Sequence, residues 1–183
     1  MLLTLSPDQA LVLIESPELI REDQVIPGHF RPFPGSPYGP GNDWIYRYEG
    51  KLARFLEPLL QSHQAELTGE KGLLYQVLSN AFCHAHHKDR LKPITVSVLL
   101  GEKGLIVRVS DFGKGFNVPR IYKHCIHKKR YFTPVGRGFR CMAVSPHFGV
   151  FYNQKGTQIN LLYLFENGLS RLSSNLIAAA PDQ

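Results

Sequence analysis

The chain has 183 residues, of which 43% are hydrophobic and 20% are charged, and its formal net charge is +6. This composition excludes an intrinsically disordered chain, and because no apolar run approaches roughly 18 residues, we predict no membrane span and no membrane partner. The odd number of scattered cysteines, Cys83, Cys125 and Cys141, is typical of a reducing cytoplasm rather than of a disulfide framework. The positive charge favours anionic partners.

Residues 1–42 are predicted to form an N-terminal extension. Short apolar pieces within residues 1–26 indicate a strand or a short helix. Residues 27–42 contain five prolines and four glycines. Because proline removes backbone donors and glycine adds backbone entropy, this stretch predicts a loop or an arm that packs on its own domain.

Two helices are predicted next. Apolar residues at helical spacing predict the first over residues 43–64, with Asp43 as its N-cap. The second is predicted over residues 70–87, and its buried stripe consists of Leu74, Val77, Leu78, Ala81 and Ala85. A neighbouring stripe of the second helix carries its polar and metal-capable side chains. These are Gln76, Asn80, Cys83, His84 and His87.

Alternating apolar residues predict two antiparallel hairpins. The first joins "ITVSVLL" to "LIVRVSD" through the turn "GEKG", and the second joins "FGVFYN" to "TQINLLYLF". Between them, a basic loop is followed by "GRGFRCMAV", which predicts a glycine turn that leads into a helix. The order of these elements predicts an α/β fold, namely a two-layer sandwich with a mixed, mostly antiparallel sheet and helices on one face.

Two motifs in the middle of the chain carry groups that suit a bound nucleotide. Asn80 offers a neutral oxygen that can complete a Mg²⁺ shell. In "DFGKGF", the Asp111 carboxylate can accept a hydrogen bond from an exocyclic amine, which would select adenine over guanine. Gly113 and Gly115 let the backbone pass close to a flat base, where a Cβ would collide.

Two later motifs complete the set. In "GRGF", Gly136 and Gly138 can present backbone N–H groups to phosphates at a helix N-terminus, and Arg137 can add positive charge there. In "KGT", Thr157 offers a hydroxyl near the base. Each motif alone is a weak signal, because strand ends often turn through Asp and Gly. All four in this order, each at the predicted kind of element, indicate a nucleotide pocket.

In this order the motifs resemble the ATP-binding domain of the GHKL superfamily, which includes gyrase, heat-shock chaperone, histidine kinase and mismatch-repair ATPases. "SNAFCHA" is similar to the N-box of that family, "DFGKGF" to its first glycine box, "GRGF" to its second and "KGT" to its third. The short lid and the run from "VGRGF" to "KGTQINL" look most like the bacterial anti-sigma-factor serine kinases. The resemblance covers residues 43–166 as a histidine-kinase-like ATP-binding domain, and residues 167–183 are then a C-terminal tail.

The resemblance implies ATP and Mg²⁺ as cofactors. Asp111 would bind the adenine amine, with Gly113 and Gly115 at the base and Gly115 beneath it. Thr157 would support the adenine side of the pocket. The phosphates would be lined by the second glycine box, which is Gly136, Arg137 and Gly138.

The N-box helix departs from the family at one position. The resemblance makes Asn80 the Mg²⁺ ligand, and His84 fits the family pattern, but Gln76 stands where the family usually has the Glu that acts as general base. An amide cannot take a proton near neutral pH, and general-base catalysis typically contributes about 10²–10⁴-fold in rate. We therefore predict a regulatory ATP-binding protein with weak or absent catalysis. Its protein partner, by analogy a sigma factor or an antagonist protein, would be bound in a nucleotide-dependent way.

Several alternatives stay open. One is an active serine/threonine kinase that phosphorylates an antagonist protein, since positioning and electrostatics can carry most of a phosphoryl transfer. Another is a zinc-binding or nucleotide-free scaffold, because "CHAHH" and "HCIH" supply ligands that zinc prefers. No Cys-x-x-Cys pair is present, however, and His86 is expected to point away from the stripe of Cys83 and His87. Charge alone suggests nucleic acid, and homodimerisation is undecided.

Overall fold

The computed structural model of the chain describes residues 2–33, 35–39, 41–126, 142 and 145–165. Its helices are α1 (Pro7–Ile14), α2 (Asp43–Leu60), α3 (Leu73–Asn80) and α4 (Val118–Ile126). Its strands are β1 (Glu18–Val25), β2 (Ile94–Leu100), β3 (Gly104–Ser110), β4 (Phe148–Tyr152) and β5 (Gln158–Leu164). None of the described helices is both long and apolar enough to cross a membrane.

The strands form one five-stranded sheet in the order β1-β2-β3-β5-β4, and every neighbouring pair is antiparallel. This confirms the predicted α/β fold with its mostly antiparallel sheet, and it confirms both hairpins. β1 lies at one edge of the sheet and pairs with β2. Part of the predicted N-terminal extension is therefore a strand of the same sheet.

The larger core lies between α2, α3 and one face of the sheet. Because successive strand residues point to opposite faces, Val107 and Val109 of β3 share this side, where they are fully or almost fully buried. Between the helices, the rings of Trp44 and Phe82 meet edge to face with centroids 5.4 Å apart. Burying one such side chain stabilises the fold by about 1.5–3 kcal/mol, so this core holds the Phe82 segment firmly against α2.

The opposite face of the sheet is covered by α1. Ile106 of β3 and Leu162 of β5 point to this side and cluster with Ile14 of α1. α1 begins with a capping box in which Ser6 Oγ accepts from the Gln9 N–H at 3.2 Å and Gln9 Oε1 accepts from the Ser6 N–H at 2.8 Å. The sheet thus carries helices on both faces, whereas the order of elements in the sequence predicts them on one.

The two central helices differ from the prediction at their ends. Asp43 is the first residue of α2, and its carboxylate accepts from the Phe33 N–H at 3.2 Å, so it fixes the arm instead of capping the helix. The second helix is α-helical only to Asn80 and continues as a π turn over Ala81–Ala85. Single π turns inside helices are frequent at functional sites, because they re-aim the residues that follow.

The proline- and glycine-rich arm is held by a buried carboxylate. Glu49 of α2 is 2% exposed and accepts from the Tyr38 hydroxyl and from the Gly69 N–H, the latter at 2.6 Å. Burial raises the pKa of Glu49, against the lowering effect of these two donors. The Tyr38 ring also packs on Tyr75 of α3, with ring centroids 4.5 Å apart. The arm therefore packs on the rest of the chain through Tyr38.

We expect Tyr38→Phe to lower the free energy of unfolding by about 1.5–3 kcal/mol, because a buried carboxylate loses one of its donors. Tyr46→Phe is the matched control, since Tyr46 is 44% exposed and its hydroxyl makes no hydrogen bond to the residues that the structure describes. Urea unfolding of both variants gives the two free energies. Equal stability of the two variants would show that the Tyr38 hydroxyl does not anchor the arm.

Candidate functional site

The first and third glycine motifs meet at one end of the sheet. We call Asp111–Phe116 the first glycine loop and Asn153–Thr157 the third glycine turn. Because β3 pairs with β5, with Ser110 opposite Gln158, the end of β3 lies beside the start of β5. The Asp111 N–H donates to the Thr157 carbonyl at 3.0 Å, and the Phe116 N–H donates to the Lys155 carbonyl at 3.0 Å. The two segments are therefore fixed to each other at both ends of the loop.

Gly115 permits this contact. Its φ is +69°, and a Cβ placed on it would lie 1.9 Å from the Lys155 carbonyl oxygen and 3.1 Å from Thr157 Cγ2. L side chains rarely adopt such a φ, and a Cβ at that distance would force the two segments apart. The sequence reading assigns Gly115 to a base that lies above it, whereas in this structure the atoms that exclude a Cβ belong to the third glycine turn.

Gly113 of the first glycine loop lies against the N-box helix, which is α3 together with the π turn Ala81–Ala85. A Cβ on Gly113 would lie 2.7 Å from the Ala85 Cβ and 3.0 Å from the Ala85 Cα. Ala85 ends the π turn, in which the His86 N–H donates to the Ala81 carbonyl at 3.0 Å. The first glycine loop is thus packed between the end of the N-box helix on one side and the third glycine turn on the other.

Asp111 keeps one carboxylate oxygen available in this arrangement. Its Oδ1 accepts from the Gly113 N–H at 2.8 Å, and Oδ2 makes no hydrogen bond to any residue that the structure describes. Burial raises the pKa of Asp111, against the lowering effects of the Gly113 N–H and of His86. The side chain is half-buried, so a fixed acceptor with a definite direction lies at the junction of the loops.

The predicted site residues of the N-box helix differ in burial and in hydrogen bonding. Gln76 is 7% exposed, and its Nε2 donates to the Glu70 carbonyl at 2.7 Å. Asn80 is half-buried, and its side chain makes no hydrogen bond within the described part of the chain. His84 is exposed. Asn80 is the last residue of α3 and immediately precedes the π turn that ends at Ala85.

The second glycine box and the later part of the basic loop before it fall outside the part of the chain that the structure describes. Gly136, Arg137 and Gly138 lie outside the described residues. Of the predicted basic loop, only its first part is described, and it forms α4. Positive charge on the described loops comes from Lys114 and Lys155, both exposed.

Asn153 organises the third glycine turn, and sequence reasoning missed it. Its Oδ1 accepts from the Thr157 N–H at 3.0 Å, and its Nδ2 donates to the Thr157 hydroxyl at 3.2 Å. The Thr157 oxygen is therefore occupied as an acceptor, while its O–H proton is left to donate. The signal was present in the sequence, because Asn side chains commonly close turns onto backbone groups a few residues on.

His86 is the second residue that sequence reasoning missed. It is 1% exposed, and its Nε2 accepts from the Phe112 N–H at 3.0 Å. The polar stripe of the predicted helix contains His84 and His87 in its place, and both of these side chains are exposed. No periodic pattern could find His86, because the π turn that precedes it changes the direction of its side chain.

The described residues contain no zinc site, and one surface cavity borders the third glycine turn. Among the described residues, no group of three or more His, Cys, Asp or Glu side chains could hold a metal ion. The side chains of His124, Cys125 and His127, from "HCIH", lie outside the described part of the chain. A surface cavity of about 800 Å³ is lined by the segment from Leu3 to Pro7, by α4 and by Tyr152–Gln154. It borders the third glycine turn, but neither Asp111 nor Asn80 lines it. The chemistry at the loop junction and this cavity therefore do not coincide.

No protein-family model matches the chain, and no curated protein matches it either.

Proposed function

We propose that the chain is a regulatory ATP-binding protein of the anti-sigma-factor kinase type, which acts in the cytoplasm and binds a protein partner in a nucleotide-dependent way. The observation that carries this proposal is the open oxygen of Asp111, held at the place where the first glycine loop meets the N-box helix and the third glycine turn. A fixed acceptor suits the exocyclic amine of adenine and opposes the carbonyl oxygen of guanine.

Three further side chains would suit the phosphates of a nucleotide bound at this site. The Asn80 amide is half-buried and unengaged among the described residues, as a ligand that completes a Mg²⁺ shell needs to be. Lys114 and Lys155 are exposed on the two loops and can balance phosphate charge. When bound, Mg²⁺ would neutralise the phosphates, with Asn80 as its protein ligand.

Calorimetric titration tests the proposal, with ATP in the presence and absence of Mg²⁺ and with GTP as the control nucleotide. We expect ATP to bind, Mg²⁺ to strengthen the binding, and GTP not to bind at the same concentrations. Asn80→Ala should remove the Mg²⁺ effect and leave the Mg²⁺-free affinity within about twofold, because only the ligand oxygen is lost. Equal binding of ATP and GTP, or binding of neither, would contradict the proposal.

The contact of Gln76 supports a binding role over catalysis. Its amide nitrogen already donates to the Glu70 carbonyl, and an amide takes no proton at neutral pH. The protein partner would then respond to whether nucleotide is bound at the site, and not to a transferred phosphate.

We expect Gln76→Glu to lower the free energy of unfolding by about 1–3 kcal/mol, because a buried carboxylate would face the Glu70 carbonyl in place of a donor. If the rest of the site is competent, phosphoryl transfer should rise by about 10²–10⁴-fold. Urea unfolding and an ATP turnover assay measure the two effects. Gln64→Glu is the matched control, since Gln64 Nε2 also donates to a backbone carbonyl, that of Ala53 at 3.1 Å, away from the glycine loops. If Gln76→Glu folds and turns over ATP no faster than wild type, a missing base does not explain weak catalysis.

A further inference from the structure

His86 joins the N-box helix to the first glycine loop. It follows the π turn directly and is almost completely buried, and its Nε2 accepts from the Phe112 N–H at 3.0 Å. Phe112 lies between Asp111 and Gly113, whose N–H orients the Asp111 carboxylate. One side chain of the helix therefore fixes the backbone of the loop at the residue next to the proposed adenine acceptor.

The direction of this hydrogen bond defines the form of the ring. Because Nε2 accepts a hydrogen bond from the Phe112 N–H, it carries no proton itself, and a neutral imidazole must then carry its proton on Nδ1. Nδ1 is buried and has no hydrogen-bond partner among the described residues. A buried unpaired donor in a folded protein needs an explanation. Here Nδ1 is left unpaired because the ring is oriented so that Nε2 accepts from the Phe112 N–H.

The charges around the ring are mixed. Burial lowers the pKa of His86; Asp111 and Asp89 raise it, whereas Lys92 lowers it. The balance is a lowered pKa, so the neutral ring that can accept from Phe112 is the form present at neutral pH.

We propose that His86 is a positioning residue that holds the first glycine loop, and with it the Asp111 carboxylate, in the conformation that receives adenine. The nucleotide part of this proposal rests on the function proposed above. Protonated imidazole has a donor on both nitrogens, so it cannot accept from Phe112. Protonation of His86 would therefore release the loop.

The expected pH dependence follows from this contact. The pKa of His86 in the folded chain lies below the ordinary value of 6.5, so the contribution of the neutral ring is complete above that value and is lost as pH falls through the folded pKa. Asp111 also becomes protonated in acid, and from a raised pKa. A variant without the imidazole is needed to separate the two titrations.

Two variants separate the role of the acceptor from that of the side-chain volume. In His86→Gln, an amide oxygen can replace Nε2 as the acceptor and does not titrate. In His86→Leu, a side chain of similar size has no acceptor. His87→Asn is the control, because His87 is exposed and its φ of 53° is one that Asn adopts readily.

Hydrogen exchange at the Phe112 amide, followed by NMR in the nucleotide-free protein, tests the contact itself. At pH 7 we expect His86→Leu to lower the protection of Phe112 by at least about tenfold, and His86→Gln and His87→Asn to retain it. Equal protection in His86→Leu and wild type would overturn the proposal, as would a glutamine variant that exchanges like the leucine variant. If His86→Leu does not fold, the comparison of wild type with His86→Gln decides, with pH lowered from 7 through the folded pKa of His86 and the rates corrected for intrinsic exchange. Protection should fall in the wild type alone.

ATP titration of the same proteins tests the consequence for binding. As pH falls from 7 through the folded pKa of His86, the ATP dissociation constant of the wild type should rise more steeply than that of His86→Gln, since only the wild type loses the acceptor. Parallel pH profiles would overturn the link between His86 and the nucleotide. A wild type that binds no ATP at any pH would overturn the proposed function instead, and the exchange at Phe112 would still decide whether His86 holds the loop.

Discussion

Replacing Gly115 by alanine should lower the free energy of unfolding by about 3 kcal/mol and abolish ATP binding. A Cβ at this position would lie 1.9 Å from the Lys155 carbonyl oxygen, so the first glycine loop and the third glycine turn would have to separate. Separation removes the hydrogen bond from the Phe116 N–H to Lys155, and the positive φ of +69° adds strain of its own. Urea unfolding and calorimetric ATP titration measure the two losses.

Gly39→Ala is the control that separates strain from collision. Gly39 has a φ of +74°, but no atom lies within 4 Å of a Cβ built on it, so only the strain of about 1 kcal/mol remains. Its ATP affinity should match that of the wild type. Equal destabilisation by Gly115→Ala and Gly39→Ala would mean that the first glycine loop and the third glycine turn are not in close contact. That result would contradict the proposed site.

Replacing Asp111 by asparagine should weaken ATP binding by about 100-fold, the loss of one charge-assisted hydrogen bond. The Gly113 N–H donates to one oxygen of the side chain, so the amide of asparagine would keep its oxygen there and turn its NH₂ outward. A donor would then face the exocyclic amine of adenine, which is itself a donor. Calorimetric titration with ATP measures the loss, and an affinity within threefold of the wild type would contradict the assignment of Asp111.

The same substitution should leave the free energy of unfolding at pH 7 unchanged or increase it. The pKa of Asp111 is raised above 3.8 by burial, so the folded chain holds this proton more tightly than the unfolded chain does. Stability is therefore lost as pH rises through the folded pKa, and ionised Asp111 destabilises the fold at neutral pH. Asparagine removes that charge, so binding and stability should move in opposite directions.

Asp23→Asn is the matched control for Asp111→Asn, because the chemical change is the same and the expected sign is reversed. Burial raises the pKa of Asp23, but hydrogen bonds from Arg21 and Tyr48, both at 2.8 Å, lower it below its usual value. Its contribution to stability is present above that usual value and is lost as pH falls through the folded pKa. Asp23→Asn should therefore destabilise the chain by about 1 kcal/mol and leave ATP binding unchanged. Urea unfolding at pH 7 compares the two variants.

The sheet could be predicted from the sequence because its signal is local. Val107 and Val109 alternate along β3 with Ile106 and Arg108, which point to the other face of the sheet, and the turn "GEKG" joins β2 to β3, so period and turn chemistry agree. The same reasoning predicted neither that α1 covers the second face nor that β1 joins the sheet. Those placements depend on packing between residues far apart in sequence, such as the cluster that contains both Ile14 of α1 and Leu162 of β5.

The residues of the candidate site could likewise be predicted only in part. Asp111 and Gly115 could be selected from the sequence because a turn after a strand demands particular residue types there. Asn153 also carries the turn signal of its residue type, whereas His86 could not be selected, since its role arises from where the π turn places it. The departure at Gln76 was visible as a residue type, but its hydrogen bond to the Glu70 carbonyl depends on the fold of the segment before α3.

The central claim is that ATP binds where the first glycine loop meets the third glycine turn and the N-box helix. Two-dimensional ¹H–¹⁵N NMR spectra recorded during titration with ATP and Mg²⁺ test it most directly. The account predicts that the largest shifts occur at the amides of Asp111–Phe116 and Lys155–Thr157 and at the side-chain amide of Asn80, with the turn Gly101–Gly104 at the other end of β3 unchanged. Shifts centred instead on Leu3–Pro7 and Tyr122, at the cavity beside α4, or no shifts at all, would contradict it.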